Sequence, residues 1–92
     1  MSKTIWKFTL ETTDIQRVEM PENAQILCIQ TQNEEPCILA LVEPKNATVK
    51  RTFEIFGTGH NVPSNAERNY VGTYQLRNGS LVFHCFELLR LL

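Results

Sequence analysis

Short runs of strand-forming residues, cut repeatedly by turn formers, constrain this chain more than any other feature. The runs are TIWKFTL (4–10), IQRVEM (15–20), QILCIQTQ (25–32), CILALVE (37–43), VKRTFEIF (49–56), YVGTYQL (70–76) and LVFHCFEL (81–88). Between them stand Thr12-Thr13-Asp14, Pro21-Glu22-Asn23-Ala24, Asn33-Glu34-Glu35-Pro36, Pro44-Lys45-Asn46-Ala47, a loop opening at Gly57, and Arg77-Asn78-Gly79-Ser80. Alternation with period two buries one face of a strand and wets the other. Close spacing of such runs is the pattern of an antiparallel all-β domain. The expected fold is therefore a single all-β domain over residues 1–92, an antiparallel β-sandwich or partly open barrel of six or seven strands. At most one or two short helical turns are expected. One is Ser64 to Arg68, where Ser64 caps and Glu67 follows three residues later; the other is the C-terminal ELLRLL.

The last hairpin is the sharpest local expectation. Asn78-Gly79 between alternating apolar runs is a strong hairpin signal, because both residues tolerate the positive φ of a type I′ turn. The register then puts Leu76 opposite Leu81, Tyr74 opposite Phe83, Thr73 opposite His84 and Gly72 opposite Cys85. The bare Gly72 leaves room for Cys85 or for a crossing chain. In the first strand, Trp6, Phe8 and Leu10 share one face. CILALV is apolar on both faces and is expected at the centre of a sheet.

With 92 residues the chain makes one domain, and nine basic side chains against ten acidic ones leave a net charge of −1. That balance gives no long-range attraction for phosphate backbones and argues against general nucleic-acid binding. The amino end lacks the apolar core of a signal peptide, and no apolar run approaches the length of a membrane span. A cytoplasmic location without membrane contact is expected. Cys28, Cys37 and Cys85 all lie among strand formers and read as small buried hydrophobes in a reducing compartment.

Chemistry-bearing residues concentrate at the opening loop, FGTGHNVPSN. No lysine follows Gly59, so it is not a P-loop, and Val62 stands where a dinucleotide fingerprint needs a third glycine. Gly57 and Gly59 free the backbone to turn, while Thr58, His60 and Asn61 offer polar groups. The loop is thus either a glycine-assisted exit from a strand or a contact for a ligand or partner. Lys45, Lys50 and Arg51 lie close together, and Tyr70 and Tyr74 are expected on one face of their strand. Lys50 and Tyr70 join the loop residues as binding candidates for a protein partner or a small nucleotide. His84 and Cys85 point to opposite faces and cannot grip one metal. No catalytic set, metal or cofactor is read from the chain. The crowding of Leu88, Leu89, Leu91 and Leu92 predicts a tail packed on the domain or on a second copy, making a homodimer.

Larger phrases carry a resemblance. IWKFTLETTDIQRVEMPENAQILCIQTQNEEPCILALVEP, RTFEIFGTGHNV and YVGTYQLRNGSLVFHCFE resemble a family of small uncharacterised proteins of tailed phages and prophages, over about residues 4–87. Its recurring motifs are MPxxAxIL, PCxxALV, GTGH, YxGT and LVFHxFE; the LLRLL tail is not among them. The resemblance implies a compact β-domain without an established activity. It makes a non-catalytic accessory protein the leading expectation, one that binds a host or phage partner in counter-defence or host takeover. A nucleotide-sequestering protein and a structural component of the phage particle are the alternatives.

Overall fold

In a computed structural model, which describes residues 2–92, the chain forms seven strands and no helix. They are β1 (Thr4–Thr9), β2 (Ile15–Pro21), β3 (Gln25–Gln32), β4 (Glu35–Val42), β5 (Thr48–Gly57), β6 (Ala66–Leu76) and β7 (Leu81–Leu91). One sheet has the order β1-β4-β3 and the other β2-β5-β7-β6, and every pairing is antiparallel. The molecule is 15 Å across its thinnest dimension, as two stacked sheets require. Alternate residues meet between the sheets: Met20, Ile29, Ile38, Ala40, Val42, Phe53, Ile55, Tyr74 and Cys85 form the core.

The central place of CILALV and the register of the last hairpin are as the alternation requires. β4 lies between β1 and β3. Leu76 faces Leu81, Tyr74 faces Phe83, Thr73 faces His84 and Gly72 faces Cys85. The turn itself is wider than an Asn-Gly pair. Arg77, Asn78 and Gly79 all have positive φ (52°, 55° and 88°), and two overlapping hydrogen bonds close it, Gly79 N–H to Leu76 O and Ser80 N–H to Arg77 O.

Four expectations are corrected. The turn before β4 is only Asn33-Glu34, with φ of 51° and 65°, the twist that suits a two-residue hairpin. Pro36 lies inside β4, where its missing N–H is not needed and its carbonyl accepts the Leu10 N–H at 2.8 Å. Pro21 likewise extends β2, opposite Thr48, rather than breaking it. The helical turns at 64–68 and in ELLRLL do not form. Ala66 pairs with Leu91 and Glu67 with Arg90, because a ladder satisfies backbone groups that so short a helix leaves open. Finally, Tyr70 and Tyr74 do not share a face. An extra residue, Val71, bulges between Tyr70 and Gly72, so Tyr74 is 4% exposed inside while Tyr70 is 59% exposed outside.

The sheets touch along one side, where β3 and β6 run past each other without a ladder between them. The space at Gly72 is taken by a crossing chain: a Cβ there would stand 2.9 Å from Ile29 Cγ2. Gly72→Ala should therefore cost ~1–3 kcal/mol of stability in urea unfolding. In an Ile29→Ala background the added cost should fall toward zero, and an unchanged cost would show that the contact is not what excludes a side chain there.

Candidate functional site

The opening loop resolves into a β-turn followed by a crossover. The His60 N–H donates to Gly57 O at 3.1 Å, and only Gly59 of the two central residues has positive φ, 88°, which is the type II pattern. The His60 ring lies directly over Gly57, within 3.0 Å of where a Cβ would stand. Beyond the turn, residues 60–65 have a path dictated by topology. β5 and β6 both run antiparallel to β7 and flank it, so they are parallel to each other. The chain must return from the Phe83 end of β7 to the Leu91 end. It does so across the outer face, where Pro63 O accepts from Arg68 Nη1 at 2.5 Å. Arg68 also bonds Glu54 at 2.6 Å and stacks over the Phe56 ring.

That outer face brings together residues far apart in sequence. Thr58 Oγ1 lies 2.7 Å from His84 Nε2, and Thr73 Oγ1 lies 2.8 Å from His84 Nδ1. Thr73 Oγ1 is bonded in turn to the Tyr70 hydroxyl. The ring of Tyr70 rests against Phe86 at 5.3 Å, and Phe86 meets Phe56 edge-on at 5.8 Å. The result is a continuous chain Thr58–His84–Thr73–Tyr70 beside an aromatic row. A hydroxyl both donates and accepts, so these threonines satisfy either neutral tautomer of His84.

Of the residues singled out in the sequence, the fold unites Thr58 with Tyr70 through His84 and Thr73. Gly57, Gly59 and His60 shape the turn, and Asn61 begins the crossover. Lys50 stands eight residues from Thr58 along extended chain, roughly 25 Å away, opposite Glu19. His84 and Thr73 were legible as a facing pair, but their link to Thr58 depends on how β5 and β7 pair.

A second polar feature lies inside. Arg51 shares the inner face of β5 with Phe53 and Ile55, and Glu87 that of β7 with Cys85. They form a forked pair at 2.6 and 2.8 Å, and Arg51 Nη1 also donates to Ala24 O at 2.5 Å. This pair floors a cleft of about 390 Å³ between β3 and β6, lined also by Gln25, Leu27 and Asn69. A second cleft of about 390 Å³, beside Thr31 and Gln75, continues the seam past the Ile29–Gly72 contact. Among the described residues, no group of three His, Cys, Asp or Glu side chains is placed to hold a metal ion. Among the described residues there is likewise no helix long and apolar enough to cross a membrane.

Residues 1–90 match the model of DUF7352, a domain of unknown function. The chain belongs to this family. No curated protein and no solved structure matches it. In this DUF7352 domain the thiol nearest the core is chemically quiet. Burial, with the Glu87 charge adding, pushes Cys85 from 9.0 up to about 12. Burial likewise raises Tyr74, partly offset by its hydrogen bond with Thr12.

Two outcomes follow from the inner groups. Arg51→Met strands a buried carboxylate and should cost ~3 kcal/mol in urea unfolding, whereas Arg51→Met with Glu87→Leu should regain most of it. Equal losses in both variants would refute the pairing as the cause. For Cys85, the unfolded chain gives up its proton first as pH rises past 9.0, while the folded thiol holds it until about 12. As far as Cys85 contributes, stability should thus be constant below pH 9 and fall above it, with a shallower fall in Cys85→Ala.

Proposed function

We propose that this DUF7352 domain is a non-catalytic binding module whose contact surface is the outer face of the four-stranded sheet, centred on Tyr70 and the Thr58–His84–Thr73 chain. The observation that carries this reading is the state of Tyr70. Its ring is 59% exposed, yet its hydroxyl is tied to Thr73 and its face is propped on Phe86. An aromatic side chain fixed in place but left in water loses little further freedom when a partner covers it, which is the property of an interface anchor. The adjoining polar chain supplies hydroxyl and imidazole groups at the rim.

Several features support binding without catalysis. Thr58 and His84 form a hydroxyl–imidazole pair, but the second ring nitrogen meets a neutral hydroxyl rather than a carboxylate that would stabilise an imidazolium. Two backbone donors of the loop are already used: the Thr58 N–H by Val82 O and the His60 N–H by Gly57 O. They are not free to hold an oxyanion. Nor does the fold gather Lys50 with Thr58, so a phosphate-holding pocket at the loop has no geometric support. The resemblance to small proteins of tailed phages and prophages extends the reading. On it, the module is a phage accessory protein acting in the host cytoplasm on a host or phage protein, in counter-defence or host takeover.

The test is quantitative affinity capture from cells that express the protein naturally, using wild type, Tyr70→Ala, His84→Ala and a distant control, Glu22→Ala. A specific partner should be depleted about thirtyfold by Tyr70→Ala, the effect of losing ~2 kcal/mol at an anchor, and should be retained by the control. Recovery of every partner at wild-type level in Tyr70→Ala would overturn the assignment.

A further inference from the structure

A sandwich of two open sheets has four edge strands, and each must be covered, defended or used. Here the edges are β1 and β3 in one sheet and β2 and β6 in the other. β3 and β6 lie against each other along the seam, with Ile29 over Gly72. β2 carries Arg17 and Glu19 on its outer side and ends in Pro21, which cannot donate to a further strand. β1 has none of these protections.

The composition of β1 makes the exposure plain. Its sequence is TIWKFT, with Ile5 59% and Trp6 40% exposed, on opposite faces of one strand. Lys7 is the natural guard of such an edge, but its ammonium reaches across the exposed face of the sheet to Gln32 on β3, at 2.9 Å. The backbone on the open side of β1 therefore faces water between two apolar side chains, and the one charge within the strand is held elsewhere.

The geometry points to a second copy of this chain as the occupant of that edge, in a two-fold dimer that joins β1 to β1 antiparallel and makes one six-stranded sheet of order β3-β4-β1-β1-β4-β3. Two arguments select a second copy. First, each copy has one bare edge, so pairing consumes both and stops at two; a chain with two bare edges would grow without closing. Second, the strand is complementary to itself in one register. A two-fold axis perpendicular to the sheet pairs residues whose numbers sum to a constant even value. Centring on Lys7 sets like charges face to face, and centring on Ile5 sets Lys3 opposite Lys7. Centring on Trp6 sets Trp6 opposite Trp6, Ile5 opposite Lys7 and Thr4 opposite Phe8. That register separates the lysines and brings the two aromatic rings together on one face. The proposed interface is thus on β1 rather than on the C-terminal leucines, where Leu91 ends β7 and Leu92 follows it.

The chain holds a single tryptophan, Trp6, so its emission reports this interface alone. Sedimentation velocity across a dilution series should show monomer and dimer exchanging with a Kd of ~1–10 µM, with Trp6 emission shifting to shorter wavelength as the dimer forms. Ile5→Lys should weaken the dimer at least ~30-fold while leaving the far-ultraviolet circular dichroism unchanged, and Leu91→Lys should leave both unchanged. Should Ile5→Lys not fold, Trp6→Cys provides an independent reading, because a two-fold centred on position 6 places the two substituted side chains within disulfide reach. Peptide mapping should then find the cross-link joining position 6 to position 6. A protein that stays monomeric at ~100 µM overturns the proposal, as does a dimer abolished by Leu91→Lys or one unaffected by Ile5→Lys. A monomer whose Trp6 emission shifts only when an extended peptide is added would assign the edge to another protein instead.

Discussion

The contact between Ile29 and Gly72 sets the shape of the whole molecule. Two sheets can draw together only as far as their side chains allow, and at this one point a strand of each sheet meets the other with no side chain on one side. The seam closes there, leaving a polar cleft on either side of it. Because the sheets lean together along β3 and β6, they are open along β1 and β2. The fold is for this reason a barrel left incomplete at one side, and which edges are covered or free is a consequence of where one Cβ is missing. The forked Arg51–Glu87 pair closes the same side at the end of the sandwich, and its bond to Ala24 O ties the β2–β3 corner to the other sheet. A buried pair of this kind adds little net stability. Both partners stand on the four-stranded sheet, so it is the Arg51 bond to Ala24 O, just before β3, that reaches toward the other sheet where the apolar core runs out.

A second constraint operates on the outside. Strand order β2-β5-β7-β6 places the last strand between its two predecessors, so the chain leaving β5 must travel back along the sheet before β6 can begin. Once the turn at 57–60 has reversed the chain, residues 60–65 in extended form cover roughly 20 Å of that return. This accounts for the glycines of the opening loop: Gly57 leaves space for the His60 ring and Gly59 supplies the positive φ of the reversal. The crossover also explains why Phe56 and Phe86, on a face that would otherwise be bare, are only half exposed. Glu54, Arg68 and the Pro63 carbonyl fasten the crossing segment over them.

Much of this was legible from period two alone. Seven strand-forming runs became seven strands, and the run 37–42, apolar on both faces, went to the middle of its sheet. The alternation also held a signal that goes further than the hairpin. Arg51 has the same parity as Phe53 and Ile55, and Glu87 the same parity as Phe83 and Cys85. Two opposite charges on apolar faces imply that they meet, and they do. Bulges were not legible. One inserted residue, Val71, reverses every side chain before it relative to those after it, and nothing in NYVGTYQ distinguishes a bulged strand from a regular one. Hence Tyr70 and Tyr74 looked like neighbours on one face and prove to lie on opposite ones. The prolines misled for a related reason. Pro21 and Pro36 stand at strand positions where no ladder bond is required of them, a matter of pairing rather than of sequence.

The bulge that defeats the alternation also makes the candidate surface. Were Val71 paired in a regular ladder, Tyr70 would share a face with Tyr74, turned toward the core. With Val71 bulged out of the ladder, Tyr70 is turned outward onto Phe86, three residues from the Thr73 hydroxyl that holds it. Restricting a side chain costs about 0.5–1.5 kcal/mol. A ring left 59% exposed recovers only part of that through burial. The core would lose no contact if residue 70 were a small polar side chain, and what folding gains from the ring is one exposed cross-strand pair with Phe86. In the proposed reading a partner that covers the ring gains more, because the rotamer cost is already met before that partner arrives.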